Sequence, residues 1–481
     1  MNLKTRATSG IKWTSISMIV TTVLQFSQLA ILARFLSPEQ FGLMALVMVV
    51  IGFSQVFVDM GMSNAIIHKQ TNCQLHLSTL FWLTILAGIC ITGLVFLSAP
   101  LVANFYESPE LRPLIQLVSL AFVISALGSQ YKVLFQKELQ FKVIAIVELC
   151  SVCCAFIVAI GMAVLNFGVY ALVFANITMT LVSSMLFFIL GTRRVYVPKF
   201  HFRWHEARGY VGFGAYQMGE RTINYFSTNI DKILIGKFLG VSSAGSYNLA
   251  WQLINFPLRK INPMVNKVAM PIYGRVQKYN KLIDAYYCLT MIVISMMVVP
   301  FTVYLLFFPE LVVEVVYGSD WISVSPVVSI LAVVGLFRAL GNPGGGLLLA
   351  LGHAKICFWW NIIWGGALIC TMYTTLIYFP DIKTAPLTFL FLSVGFATIW
   401  HLLMHKVAGV RYRFLIKKIL GLILISVVSC LFSNEVVSLF EGFYPSVLLV
   451  ISLLACSLIY IPYIFVFEKN VLASFKSGRV R

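Results

Sequence analysis

Charged and amide side chains interrupt an otherwise apolar stretch between residues 210 and 236. Five polar residues in it are spaced by three or four positions: Gln217, Glu220, Asn224, Thr228 and Asp231. On an α-helix this spacing places them along one face, which we call the polar stripe. If that helix crosses a membrane, the polar stripe must point away from lipid, and by default it marks a pathway for a polar substrate.

The charges of this stretch also have a purely structural explanation. Arg221 directly follows Glu220, and Lys232 directly follows Asp231, so each pair can neutralise itself near a helix end. Long basic side chains can also extend to the lipid headgroups while their stems stay in the apolar layer. Both explanations remain open at the level of the sequence.

Three arginines in apolar stretches are candidates for binding phosphate: Arg221, Arg259 and Arg338. A guanidinium holds phosphate oxygens bidentately and does not lose its proton, so the three predict a cavity that binds a pyrophosphate. Structural pairing with Asp59 or Glu148, which also interrupt apolar stretches, is the alternative.

The predicted substrate-contacting residues are Asp59, Glu220, Arg221, Asn224, Asn229, Asp231, Lys232, Arg259 and Arg338. The sequence has no P-loop, no H-E-x-x-H motif and no paired-carboxylate motif in a soluble domain, so it does not indicate an enzyme or a metal site. We interpret Gly341 to Gly346, GNPGGG, as a hinge. We expect no resident cofactor, so energy must come from a proton or sodium gradient, from substrate consumption on the far side, or from a partner.

The elements that carry these residues follow from composition. Hydrophobic residues make up 60% of the 481-residue chain and charged residues 11%, whereas soluble domains carry about 25% charged residues. Apolar stretches of about 20 residues recur, which is the length of a membrane-spanning helix. The predicted spans are 12–34, 40–60, 78–99, 112–128, 143–165, 169–191, 210–236, 243–266, 285–308, 322–349, 356–379, 386–405, 415–434 and 445–467. Pro257 and Pro263 predict a kink or break in the eighth.

The distribution of basic residues predicts the orientation. With the N-terminus inside, 28 Lys and Arg fall in inside segments and four in outside segments, as the positive-inside rule requires. We therefore predict an all-α polytopic membrane protein with about fourteen spans and both termini in the cytoplasm. The net charge of +18 is distributed between apolar spans, which argues against a nucleic-acid-binding surface.

An internal repeat is visible at an offset of 203 residues. It pairs Phe35 with Phe238, Leu36 with Leu239, Gly42 with Gly245, Leu46 with Leu249 and Phe53 with Phe256. Two parallel six-helix halves with a cleft between them would produce this pattern, which is common among transporters. The predicted domains are an N-terminal lobe (1–192), a basic cytoplasmic linker (193–209), a second six-helix lobe (210–408), and two further helices with a cytoplasmic tail (409–481).

Seven stretches carry a family resemblance: SGIKW from Ser9, LARFLSPEQFG from Leu32, DMGMSNAIIHK from Asp59, LFQKELQF from Leu134, INYFSTNIDKILIGKFLG from Ile223, AGSYNLAWQ from Ala244 and VGLFRALGNPGG from Val334. The chain resembles the polysaccharide-transport branch of the multidrug/oligosaccharidyl-lipid/polysaccharide flippases, most closely the Wzx-type colanic acid exporters. The last two predicted helices match only in hydrophobicity.

The resemblance implies a flippase that moves an undecaprenyl-pyrophosphate-linked repeat unit to the outer face of the bacterial inner membrane by alternating access. The product would be an exopolysaccharide, a capsule or O-antigen. The implied partners are this lipid-linked oligosaccharide, membrane lipids, and a polysaccharide polymerase or export protein. The alternative is a cation-coupled drug antiporter of the same superfamily, which would favour acidic residues over arginines in its cavity.

Overall fold

The computed structural model describes residues 3–58, 66, 73–277, 279–440 and 442–468, with side chains described from residue 13 onward except at 206, 207, 209–217, 220 and 280. The described residues form fifteen α-helices, a short 3-10 helix and no strand. The helices are α1 (Leu3–Ala33), α2 (Pro38–Val58), α3 (Gln74–Phe105), α4 (Leu111–Lys137), α5 (Phe141–Val164), α6 (Tyr170–Arg194), α7 (Trp204–Phe238), α8 (Gly240–Val276), α9 (Asn280–Phe307), α10 (Pro309–Tyr317), α11 (Ser325–Ala350), α12 (Ala354–Tyr378), α13 (Thr384–Ala408), α14 (Tyr412–Ser438) and α15 (Pro445–Phe467).

The predicted all-helical architecture is confirmed, and each of the fourteen predicted spans coincides with one long helix. Twelve described helical segments are long and apolar enough to cross a membrane. Helices α7 and α8 are longer than all twelve of these segments, but their charged and amide residues make them less apolar. The number of fourteen spans therefore stays a prediction.

The chain divides into two compact units, residues 1–245 (unit 1) and 246–481 (unit 2). In unit 1, α3 packs on α4, α5 on α6, α1 on α5, and α7 on α2. In unit 2, α9 packs on α11 and α14, α11 on α13, and α14 on α15. The lobe and linker boundaries derived from the sequence stay predictions.

Equivalent glycines of the predicted repeat lie against each other's helix. A Cβ built on Gly42 of α2 would lie 1.9 Å from the carbonyl oxygen of Val241, and one built on Gly245 would lie 2.0 Å from that of Pro38. The offset that relates Gly42 to Gly245 also relates Pro38 to Val241. The starts of α2 and α8 therefore make the same contact twice, in reciprocal form, between positions that the repeat pairs.

Helix α2 begins with a capping box. The Ser37 backbone N–H donates to Gln40 Oε1 at 3.1 Å, and the Gln40 N–H donates to Ser37 Oγ at 3.4 Å. This reciprocal pair satisfies two donors that a helix start would otherwise leave without a partner. It fixes the first turn of α2, where the contact with α8 is made.

Helices α8 and α11 both contain proline, and both are continuous where the sequence predicts a kink, a break or a hinge. Helix α8 contains Pro257, Pro263 and Pro271 and still runs without interruption, so of the predicted kink or break the break is excluded and the kink stays a prediction. Helix α11 likewise continues through Gly341–Gly346. Neighbouring helices supply the packing that compensates for lost hydrogen bonds in membrane helices with proline.

The connection between α6 and α7 is anchored on unit 1. The Tyr196 hydroxyl lies 2.7 Å from Gln130 Oε1 and 3.2 Å from the carbonyl oxygen of Leu77, and it donates towards both. Trp82 Nε1 donates to the carbonyl oxygen of Lys199 at 2.9 Å. Because Gln130 and Tyr196 are buried, these bonds attach the connection firmly to α3 and α4.

Candidate functional site

The described part of the polar stripe on α7 lies in two environments. Asn224 and Thr228 are exposed, whereas Asp231 is only 1% exposed. Arg221 and Lys232 are half-buried. The polar stripe therefore leads from an accessible surface into the interior of unit 1, instead of lining one continuous accessible face.

Close packing against α2 fixes the orientation of α7. The Tyr225 hydroxyl donates to the carbonyl oxygen of Val49 at 2.6 Å. Gly52 allows this approach, since a Cβ there would lie 2.8 Å from the Tyr225 ring. Further along α7, Gly236 allows the Leu46 side chain of α2 to pack closely, since a Cβ on Gly236 would lie 2.6 Å from that side chain. This packing on α2 fixes the orientation of the residues on the other faces of α7.

Three further predicted residues are less informative about substrate. The Asn229 amide donates to the carbonyl oxygen of Tyr225 at 3.1 Å, which is a bond within its own helix. Asp59 lies outside the described residues, and so does the side chain of Glu220, although its backbone belongs to α7. The role of these residues in binding stays a prediction.

The predicted arginines of unit 2 lie on α8 and α11. Both Arg259 and Arg338 are exposed. Arg338 lies over two aromatic rings, with its guanidinium carbon 5.1 Å from the Trp251 ring centroid and 5.9 Å from that of Phe389. Gly335, one turn before Arg338, allows α8 to approach, because a Cβ there would lie 2.6 Å from Ile254. These cation–π contacts hold the Arg338 guanidinium in place.

Arg338 opens onto a cavity of about 320 Å³ between α11, α12 and α13, which we call the aromatic cavity. It is lined by Phe337, Arg338, Gly341, Asn342, Gly345, Cys357, Trp360, Asn361, Trp364, Ser393, Phe396, Ala397 and Trp400. The site therefore combines a fixed cation, two amides and several aromatic rings within helices that are apolar enough to cross a membrane.

Of the residues that line this cavity, the sequence indicates Arg338 as a binding residue and Gly341, Asn342 and Gly345 only as part of a hinge. Trp360 and Trp364 are four residues apart on α12, and Phe396 and Trp400 are four residues apart on α13, so each pair shares a helix face. That spacing was a usable signal. It is also common wherever aromatic residues pack in a membrane protein, so it does not by itself indicate a site.

The described residues contain no group of three or more His, Cys, Asp or Glu side chains that could hold a metal ion. Away from the apolar spans, the Lys237 ammonium donates to Glu107 Oε1 at 2.8 Å and thereby lowers the pKa of this carboxyl. The described groups can bind an anionic, polar ligand through arginine and amide groups.

Comparison of the sequence with known proteins gives a family and several relatives. The family described as "Polysaccharide biosynthesis protein" matches residues 31–326. The teichuronic acid biosynthesis protein TuaB of Bacillus subtilis (strain 168) is 31% identical over 371 residues, which are 76% of each chain. The lipopolysaccharide biosynthesis protein WzxC of Escherichia coli (strain K12) is 32% identical over 364 residues, which are 75% of this chain and 73% of that protein.

Solved structures share the fold at low sequence identity. Lipid II flippase MurJ in an inward closed conformation superposes with a TM-score of 0.74 and 15% identity, over 96% of this chain and 100% of that one. A multidrug resistance MATE family transporter of the MOP superfamily, in an inward-facing conformation, gives 0.60 and 13%, over 83% and 98%. The flippase superfamily suggested by the seven sequence stretches is confirmed. Because the family match spans more than half of the residues, and a relative is 32% identical over three quarters of them, this chain belongs to the polysaccharide biosynthesis protein family.

Proposed function

We propose that this protein is a flippase that carries an undecaprenyl-pyrophosphate-linked oligosaccharide from the cytoplasmic to the outer face of the inner membrane by alternating access. Membership of the polysaccharide biosynthesis protein family supports this proposal, as does the fold shared with a lipid II flippase. The protein acts as a transporter and not as an enzyme, and its product enters exopolysaccharide, capsule or O-antigen biosynthesis.

The placement of Arg338 is the observation that carries the proposal. It is an exposed guanidinium on α11, a helix apolar enough to cross a membrane, and it faces the aromatic cavity. A charged side chain in a membrane-spanning helix is costly in lipid, and such side chains almost always face the bundle interior or a water-filled cavity. A diphosphate that enters the cavity would form charge-assisted hydrogen bonds that match the two-pronged geometry of the guanidinium.

The remaining parts of the proposal concern orientation, energy and partners. We place both termini in the cytoplasm, because basic residues concentrate in the segments that this orientation puts inside. A proton or sodium gradient would drive the cycle without a resident cofactor. A polysaccharide polymerase or export protein would remove the substrate from the outer face.

A flipping assay in proteoliposomes tests the proposal, with a fluorescent undecaprenyl-pyrophosphate oligosaccharide as the substrate. Arg338→Ala should slow flipping at low substrate concentration by about ten- to a hundredfold, the effect of losing a charged hydrogen bond. Arg338→Lys, which keeps the charge but not the planar fork, should fall in between. Lys383→Ala removes an exposed charge at the start of α13 and is the matched control.

Unchanged flipping by correctly inserted Arg338→Ala would refute the role of this arginine.

The fold shared with multidrug transporters makes a cation-coupled drug antiporter the second candidate. If the wild type flips no lipid-linked sugar but moves a cationic dye against a proton or sodium gradient, the antiporter replaces the flippase.

A further inference from the structure

The aromatic cavity has a continuous aromatic wall. Trp364 lies 4.9 Å from Phe396 between ring centroids, Phe396 lies 5.5 Å from Trp360, and Trp360 lies 4.7 Å from Trp400. The volume of about 320 Å³ falls at the lower end of the range for pockets that hold small ligands. The wall therefore presents several aromatic rings, in edge-to-face and tilted contact with one another, to a ligand fragment of limited size.

Two buried polar atoms in this cavity have no hydrogen-bond partner within the described part of the chain. They are Ser393 Oγ, in a residue 4% exposed, and Trp400 Nε1, in a residue 6% exposed. Both residues line the cavity. Native proteins pair the large majority of such buried atoms, so a ligand with hydrogen-bonding groups at these two positions would satisfy both.

The rest of the cavity supplies amides and space. Asn342 and Asn361 are exposed on α11 and α12, and both line the cavity. Asn342 Oδ1 accepts from the Asn266 amide at 2.5 Å, which fixes the orientation of the Asn342 side chain. Gly341 and Gly345 leave open space on the α11 side of the cavity, since a Cβ on either would meet no atom within 4 Å.

We propose that the aromatic cavity binds one sugar ring of the lipid-linked oligosaccharide, an inference that rests on the proposed function. The C–H face of a pyranose carries partial positive charge and stacks on the negative face of an indole. Its hydroxyls both donate and accept, as Ser393, Trp400 and the two asparagines require. A prenyl chain would leave these polar groups without partners, and a diphosphate would not use the aromatic wall.

Binding of paired lipid probes to the full-length protein in nanodiscs tests this inference. The probes are radiolabelled undecaprenyl pyrophosphate without a sugar, and the same lipid bearing one glucose, galactose or N-acetylglucosamine. The wild type should bind at least one glycosylated probe more tightly than the sugar-free lipid. Trp360→Leu should weaken binding of that probe by about three- to tenfold and leave the sugar-free lipid unaffected. Trp359→Leu is the matched control, because Trp359 is 59% exposed and does not line the cavity.

Ser393→Ala separates ligand binding from folding. Removing a buried hydroxyl that has no partner should leave the thermal midpoint of the ligand-free protein unchanged or raise it, whereas binding of the glycosylated probe should weaken by about two- to tenfold. A lowered midpoint with unchanged binding would show a structural hydroxyl and overturn the inference.

The remaining outcomes separate the two proposals. If the wild type binds all four lipids equally, or if Trp360→Leu binds the glycosylated probe as tightly as the wild type, the cavity does not bind sugar and the flippase proposal stands. If the wild type binds none of the four, both proposals fail.

Discussion

Replacing Gly42 or Gly245 with alanine should destabilise the protein through backbone displacement. A Cβ would lie 1.9 Å from the carbonyl oxygen of Val241 in Gly42→Ala, and 2.0 Å from that of Pro38 in Gly245→Ala. Because real Cβ contacts are essentially never shorter than 3.0 Å, the two helix starts must separate by 1.1 or 1.0 Å. The obstacle is backbone and cannot rotate away, so we expect the cost of an overpacked core, about 1–3 kcal/mol each.

Thermal unfolding of the purified protein in detergent measures this effect. For a unit of 245 residues, each kcal/mol moves the midpoint by about 2–4 °C, so each variant should unfold about 2–12 °C below the wild type. Gly161→Ala is the matched control, since a Cβ at that helical position meets no atom within 4 Å. It should be neutral or slightly stabilising, because alanine loses less backbone freedom than glycine on folding.

The double variant gives a sharper test. Once one Cβ has separated the helix starts, part of the space for the second Cβ already exists. The double variant should therefore lose less free energy of unfolding than the sum of the losses in the two single variants. Strict additivity, or a Gly42→Ala midpoint equal to that of Gly161→Ala, would refute the reciprocal contact.

Two further predictions concern unit 1. Lys237 lowers the pKa of the Glu107 carboxyl, so the pair stabilises the folded state above the ordinary value of 4.5, and this stabilisation is lost as the pH falls through the folded-state pKa. The thermal midpoint of the wild type should therefore exceed that of Glu107→Gln at neutral pH and converge with it in acid; a constant difference would contradict this. Burial raises the pKa of Tyr196, which keeps its hydroxyl a donor to Gln130. Tyr196→Phe should cost about 1–3 kcal/mol in thermal or denaturant unfolding by leaving a buried acceptor without a donor, whereas the exposed control Tyr279→Phe should cost almost nothing.

The sequence located the helices better than their ends. The fourth predicted span, 112–128, corresponds to Leu111–Lys137 in the structure. Hydropathy detects only the apolar part of a helix, whereas hydrogen bonding continues into polar turns beyond it. The short helix Pro309–Tyr317 was missed for a related reason, since its nine residues are too few for a spanning pattern.

The candidate site was predictable only where a single residue was conspicuous. Arg338 stood out because a guanidinium in an apolar stretch requires an explanation. Ser393 and Asn361 did not, because a lone hydroxyl or amide in a membrane helix commonly bonds within its own helix or to a neighbour. Ser393 and Asn361 become candidates for binding only because three helices meet around one cavity, and no local sequence pattern predicts that meeting.

Helix α8 carries Pro257, Pro263 and Pro271 without a break. A proline nitrogen cannot donate, so the helical hydrogen bonds that would reach the carbonyls four residues earlier are not formed. Bending at these three points therefore ruptures no hydrogen bond, and the bending stiffness of the helix is lowest there. Elastic deformation of α8 should concentrate in residues 257–271, with the turns on either side moving as stiff rods about this compliant segment.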